Sequence, residues 1–424
     1  MSKPVARRES RGGVIPFRKA ASSSPLDPYR LSGWVVPEGL TAAEESWVAS
    51  QLAMARVSAR SLTAQQGRTL MSAIQRFLAE HGLRSVEPEM VQLAVEAVSR
   101  GGMTSAQAVE DLWRRAGAAY PEWTRAPDAL VAQVAQTRQQ AALTNAQALV
   151  ANPAIQTWMA RRGANPINIL AALGGDPDPK ALVAKPNPRQ IPAYRQDAMS
   201  LVQDLDKGTK AAIQRLIERG LREGRNPLDV ARDIRTVNGF GLTEQQSMAV
   251  YNYQQALRDG NWEAATDRSL HDLRFKQPET ATGVERLTER YSERMAAYRA
   301  NTIARTEMMR AANRGAAEVW EQMAADGVVR RGELKRFWAV APENATSAKI
   351  GHKPVQLGPC ERCAITASLN AEGVGMDEPF ITDNADPIDI PPLHPNCRCV
   401  VIYRPAFLSL KERAELAVEM GFTE

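Results

Sequence analysis

Along most of the chain apolar residues recur every three or four positions with polar residues between them, the spacing that lines one face of a helix. Trp47, Leu52, Ala55 and Ala59 fall roughly on one face behind Thr41 and Glu44, which stand at capping-box spacing. A second helix is expected through Leu70, Ile74 and Leu78. Thr104 with Gln107 opens another, carrying Val109 and Leu112, ahead of an Ala- and Gln-rich helical segment from Ala129 to Val150. Leu205, Ile213, Leu216 and Ile217 keep helical spacing as far as Gly220. Asn226, Pro227 and Asp229 then supply an N-cap, a first-turn proline and an acid favoured by the helix dipole. After Gly239 and Gly241, Thr243 and Gln246 start a helix with Met248, Tyr251 and Leu257, and a long helix is expected over roughly 284–325.

From Phe337 the period changes. Pro, Gly, Asn and Asp punctuate short apolar runs, Val400, Val401, Ile402 and Tyr403 read as a strand, and Leu408 to Phe422 suits a terminal helix. The expected fold is mainly α and multi-domain, with a small C-terminal α+β, Cys-rich module. Two stretches resist regular structure. Residues 1–30 read as a disordered basic arm, given the Ser22–Ser24 run with Pro25 and Pro28, so order is expected to begin near Trp34. Residues 174–195 read as a Pro-rich linker, because Pro177, Pro179, Pro186, Pro188 and Pro192 exclude a continuous helix. The expected divisions are thus the arm (1–30), an N-terminal helical region (31–173), the linker (174–195), a second helical region (196–282), the Cys-rich module (283–404) and a C-terminal helix (405–424). No internal repeat is evident.

With 424 residues, 44% of them hydrophobic, the chain can build real cores, and two or three domains are expected. No run of about 18 or more apolar residues occurs and no apolar segment follows the charged N-terminus, so neither a membrane span nor a secretory signal is expected, and synthesis in a cytoplasm is. The net charge of +5 is concentrated. Lys3, Arg7, Arg8, Arg11, Arg18 and Lys19 against Glu9 account for all of it, leaving the remainder near neutral. The arm is either a solvated tail or a contact for nucleic acid or an acidic partner.

The only four cysteines, Cys360, Cys363, Cys397 and Cys399, lie within forty residues, in GPCERC and HPNCRC. A Cys-x-x-Cys turn aims two thiolates at one centre, and a second close pair can complete a tetrahedron, so one structural zinc is the leading expectation. On a regular strand the sulfurs of Cys397 and Cys399 would sit too far apart, so a kink is required. His394, three residues before Cys397, competes with Cys399 for the fourth position, and spacing does not choose between them. Disulfides and plain reduced thiols are the alternatives. Catalytic metal signatures are missing: none of His81, His271, His352 or His394 begins His-x-Glu or His-Glu-x-x-His, and there is no Gly-x-x-x-x-Gly-Lys loop.

On the expected long helix, Thr306, Arg310 and Asn313 share a face with Glu307 beside them. If buried, these groups would pin the irregular module by hydrogen bonds; if exposed, they are a solvated stripe.

The helix IARTEMMRAANRG (303–315), KRFWAV from Lys335, GPCERC, EPF at 378–380 and PPLHPNCRCV, in that order, resemble the head morphogenesis domain of phage Mu F-like minor head proteins. The resemblance is strong over about 283–404 and looser over 200–282, and nothing before residue 195 carries it. The matching positions are Glu307, Asn313, Cys360, Cys363, His394, Pro395, Cys397, Arg398 and Cys399. One departure is a long stretch, PENATSAKIGHKPVQLGP, between Val340 and Cys360. The resemblance implies a minor head protein of the virion, present in few copies and associated with portal and capsid proteins. It would act in prohead assembly, DNA packaging or ejection, with no catalytic residues and no small-molecule substrate. Two other readings are a DNA-binding protein delivered with the genome through the basic arm, and a toxin-type enzyme carried on such a module. The second is not expected, because only residues 405–424 follow the module.

Overall fold

The computed structural model describes residues 24–26, 45–49, 51–52, 66–80, 82–83, 86–163, 191–238, 241–268, 270, 276–340, 349–350, 353–354, 360–384 and 386–405. Its helices are α1 (Gln66–Glu80), α2 (Pro88–Ser99), α3 (Ser105–Ala119), α4 (Pro121–Val150), α5 (Pro153–Arg161), α6 (Ile191–Arg222), α7 (Pro227–Asn238), α8 (Glu244–Arg258), α9 (Trp262–Thr266), α10 (Ala281–Ala325) and α11 (Glu361–Leu369). Residues 45–49 and 51–52 are also helical. The strands are β1 (Leu334–Ala339), β2 (Lys349–Ile350), β3 (Lys353–Pro354), β4 (Val374–Gly375), β5 (Phe380–Ile381), β6 (Pro387–Ile388) and β7 (Val400–Pro405). The protein is mainly helical with a small C-terminal antiparallel β region and a Cys cluster.

The caps act as the sequence indicates. Thr104 and Gln107 form a reciprocal capping box on α3, as do Thr243 and Gln246 on α8. Asn226 accepts from Leu228 N at 2.9 Å, with Pro227 opening α7. Some boundaries shift. α6 begins at Ile191, so 191–195, expected as linker, are helical; Pro192 sits in the first turn, where its missing N–H costs no bond. Residues 174–190 lie outside the described residues. α6 also runs past Gly220 to Arg222; at Gly220 a Cβ would come within 2.6 Å of Val230, so glycine there admits α7 rather than ending α6. Order reaches further back than Trp34: Leu26, assigned to the arm, is fully buried against Val48, Leu52, Met309, Phe337 and Ile402. The rest of the arm, Thr41, Glu44, Ala55, Ala59 and the terminal helix expected beyond Pro405 are outside the described residues.

Each core draws on several segments of the chain. One joins α2 and α3 to the C-terminal half of α6, to α7 and α8, and to Val284, Tyr291 and Ala296 of α10. A second joins α1, α4 and the start of α6 to Ala300, Ala304, Met308 and Ala311 of α10. The third joins Trp47, Ala146, Val150 and α5 to the sheet, the cysteines and Val319, Trp320 and Met323 of α10. A single amphipathic helix has one apolar stripe and cannot enclose a core alone. α10 has apolar residues on every side and, at 45 residues or about 67 Å of helix, serves these three cores in turn and lends Met309 to a fourth, smaller one with Leu26, Val48, Leu52, Phe337 and Ile402.

In the C-terminal region the sheet order is β4-β1-β7, all antiparallel, with Phe337 opposite Ile402 and Trp338 opposite Val401. β2 pairs with β3 and β5 with β6 as two-stranded ribbons. Trp47, Trp158 and Trp320 meet with centroids 5.7 to 6.0 Å apart, and Trp320 stacks on Tyr403 at 5.6 Å. Such pairs contribute about 0.5–1.5 kcal/mol each beyond their area. They bind Trp47 and Trp158 of α5 to α10 and, through Trp320, to β7.

α4 and α10 are in close backbone contact at Gly315, where a Cβ would overlap the backbone of Ala142. Gly315→Ala is therefore expected to destabilise the protein by about 3 kcal/mol or more, despite alanine's better helix propensity. Urea unfolding checks this; an unchanged or stabilised variant would show that the two helices do not meet there.

Candidate metal centre

Two short segments build the site. Cys360 is the N-cap of α11 and its sulfur accepts from Cys363 N at 3.4 Å, so one helical turn places both thiols on one side of the helix start. Opposite, Cys397 N donates to His394 O at 3.1 Å, and Asn396 sits at φ 64°, a left-handed conformation that asparagine tolerates better than most residues. β7 starts only at Val400. Cys397 and Cys399 therefore lie on irregular backbone ahead of the strand, which supplies the required kink.

All five candidate donors come together. Cys360 Sγ lies 2.9 Å and Cys363 Sγ 3.2 Å from His394 Nε2, and Cys363 Sγ lies 3.7 Å from Cys397 Sγ. Cys360, Cys363 and His394 form one set, and Cys363, Cys397 and Cys399 another, each with its ligand atoms within 4.8 Å of one another. Cys363 belongs to both. All four cysteines are free thiols, and Cys363, Cys397 and Cys399 are buried. His394 Nδ1 is 2.8 Å from Pro395 O. With Nδ1–H donating there, Nε2 turns its lone pair to the two sulfurs, the arrangement by which a backbone carbonyl orients a metal-binding imidazole.

The donor set fits a tetrahedral ion. Two sulfurs about 2.3 Å from zinc at the tetrahedral angle lie about 3.75 Å apart, against 3.7 Å for Cys363 and Cys397. Hydrogen bonds to Cys397 and Cys399, with burial, push the Cys363 thiol up, while bonds from Cys363 and Cys399 hold Cys397 well below the usual thiol range. The cluster thus favours one thiolate stabilised by neighbouring thiols.

The polar face of α10 docks on this loop. Asn313 is buried; its Nδ2 donates to Cys399 O at 3.1 Å, Pro391 O at 3.4 Å and Met309 O at 3.0 Å, and its Oδ1 accepts from Val401 N at 3.0 Å. Thr306 Oγ1 accepts from Asn396 N at 3.0 Å, and Thr302 Oγ1 accepts from Asn396 Nδ2 at 3.3 Å. Thr306 and Asn313 therefore pin the module. Glu307 and Arg310 do not: Glu307 is buried against Arg138 of α4, and Arg310 pairs with Glu307 at 3.0 Å. Burial pushes the Arg310 guanidinium down, partly offset by Asp197. Pro395 contributes its carbonyl to His394, and half-buried Arg398 makes no hydrogen bond or ion pair among the described residues, with burial and Arg305 both lowering its pKa.

Several contributors were not singled out in the sequence. Arg336 donates from Nε to Gly375 O at 3.1 Å, from Nη1 to Asp389 O at 2.8 Å and from Nη2 to Glu378 O, gathering the turn after β4 and the loop after β6. An arginine inside an apolar strand was the available signal. Gln51 exchanges two bonds with Tyr403, donating to its O at 2.9 Å and accepting from its N at 3.1 Å, and Trp47 Nε1 donates to the same carbonyl at 3.0 Å. Arg138 and Gln51 carry no local signal, because their partners are 169 and 352 residues away.

Comparison with known protein families, characterised proteins and solved structures finds no match for this chain.

Asn313→Leu removes both halves of an exchange with β7 and leaves Val401 N and Cys399 O buried. The expected loss is about 2–4 kcal/mol, from unsatisfied groups costing about 1–3 kcal/mol each. Hydrogen exchange at the Val401 amide should accelerate with it. Unchanged protection would mean the amide does not hold the strand.

Proposed function

We propose that this chain is a minor head protein of a tailed phage, built into the virion beside the portal and capsid proteins, whose C-terminal module is an assembly scaffold closed by one zinc. The observation that carries the scaffold reading is where the motif residues go. Asn313, Cys360, Cys363, His394, Pro395, Cys397 and Cys399 hold one another or the backbone of the same loop. A catalytic zinc keeps an open position for water or substrate, whereas Cys360, Cys363, His394 and Cys397 would fill all four positions of a tetrahedron. The resemblance to Mu F-like proteins supports the phage assignment, and the structural use of the shared residues supports assembly over turnover.

Within the cluster, Cys360, Cys363, His394 and Cys397 are the proposed ligands, on the strength of the short contacts through Cys363 and the 3.7 Å sulfur spacing. Cys399, whose thiol hydrogen-bonds to Cys363 and Cys397, is proposed as a hydrogen-bonding neighbour. A bound zinc would supply cross-linking free energy: at a thousandfold excess over its dissociation constant a ligand adds about 4 kcal/mol.

Metal analysis of the purified protein should give one zinc per chain. Cys397→Ser should lose it and unfold at lower temperature, while Cys399→Ser should retain it. Equal loss in both variants would reassign the fourth ligand; metal-free protein with unaltered stability would remove zinc from the account. For the assembly role, the protein should copurify with portal and capsid proteins from phage particles. Fully assembled, infectious particles lacking the chain would refute it.

A further inference from the structure

The charge count assigns the excess of positive residues to the N-terminal arm, yet the fold gathers arginines elsewhere. Arg215, Arg219 and Arg222 follow one another at four and three residues on the last turns of α6 and so form one stripe. That stripe faces the start of α8. With Arg268, beyond α9, it lines an open groove of about 690 Å³. The groove's carboxylates are Glu223 and Glu244, so four guanidinium groups meet two acids, and no lysine lines it.

Two of the four are held in place. Arg219 stacks over the Tyr251 ring at 4.6 Å and donates to Glu223 at 2.9 Å and to Asn252 Oδ1 at 3.1 Å. Arg268 donates to Ala264 O at 2.8 Å and Ala249 O at 3.3 Å. Tyr251 in turn donates to Glu223; burial opposes that carboxylate's charge, but the bonds from Tyr251 and Arg219 hold its pKa below the usual range. The other two are available. Exposed Arg222 makes no hydrogen bond or ion pair among the described residues and feels Glu218 only through space. Arg215 meets Glu244 at 3.5 Å, with the two side chains 48% and 52% exposed, a pairing weak enough to exchange.

We propose that this groove binds the phosphodiester backbone of nucleic acid without regard to sequence. The arginine forks match phosphate oxygens two at a time, which lysine does not do. Seven residues of helix from Arg215 to Arg222 spread them over about 10 Å, enough to follow a backbone rather than clasp one small ion. Exposed Gln245 and Asn252 add side-chain amides of the kind that contact phosphates. An acidic protein segment would be expected to find an apolar anchor as well, and the lining offers only partly buried Met248 and Ala249. This site shares no residue with the Cys-rich module, so it stands or falls separately from the proposed scaffold role.

The test uses the full chain, a fluorescent mixed-sequence DNA duplex and anisotropy titrations at stepped KCl concentrations. Arg215→Gln with Arg222→Gln should weaken binding roughly ten- to a hundredfold near 0.1 M salt and flatten the log–log salt slope by about 2. A control pair on exposed arginines elsewhere, Arg100→Gln with Arg330→Gln, should change neither. The arm is present in every chain compared, so its contribution cancels. Matched thermal unfolding curves establish that the variants are folded. Unchanged affinity and slope in the groove variant would overturn the proposal. So would displacement of the duplex by poly-glutamate at equal charge concentration, which would mark the groove as a site for acidic protein.

Discussion

Everything at the C-terminal end depends on how the outer edge of β7 is satisfied. β7 has β1 on one side and, among the described residues, no strand on the other, so Val401 and Tyr403 face away from the sheet with peptide groups to bond. Left unpaired in a buried setting, each would cost about 1–3 kcal/mol. Instead Asn313 bonds Cys399 O and Val401 N, and Gln51 bonds both N and O of Tyr403. Two side-chain amides replace a missing strand, and an edge open to intermolecular pairing is closed. One comes from α10 and the other from helical residue 51, so the module cannot leave either without exposing the edge.

That solution requires α10 to be in register, and apolar packing alone does not supply it. A helix with apolar residues on every side can slide by a turn at modest cost. Glu307, buried against Arg138 and joined by Arg310, removes that freedom, since a shifted register would bury a carboxylate without its partner. Asp197 lies 3.5 Å from Arg138 and 3.8 Å from Arg314, which brings the first turns of α6 into the same network. Gly315 allows α4 close enough for the pairing to form. Burying charge adds little net stability; its contribution here is to select one alignment among several.

How much of this was legible follows from how local each signal is. The capping boxes of α3 and α8, the extent of α10 and the position of β7 rest on neighbours a few residues apart, and each stands in the structure where periodicity or spacing placed it. Pro192 misled because proline is excluded from a helix interior but not from its first turn. Gly220 misled because glycine also marks close approach, here of Val230. Linkers are read from composition whereas cores are assembled from faces, and α10 contributes side chains to all four. His394 and Cys399 remained alternatives because choosing between them takes the backbone path through Asn396 rather than the count of residues between donors.

The arginine groove shows the same limit for charge. A net count treats Arg215, Arg219 and Arg222 as cancelled by nearby acids, yet the field at a surface depends on which charges are already paired. Asp233, buried, takes Arg225 and Arg258, while Glu223 is tied to Tyr251 and Arg219. What remains is an excess at one place on a chain whose folded part is near neutral overall. The two ends of α10 therefore differ in kind: Val284 to Ala296 packs into the core beneath the arginines, whereas Thr306 and Asn313 carry the Cys-rich loop. Asn313 lies 29 residues beyond Val284, about 43 Å along the helix axis, so one continuous helix both floors the core under the groove and holds the Cys-rich loop.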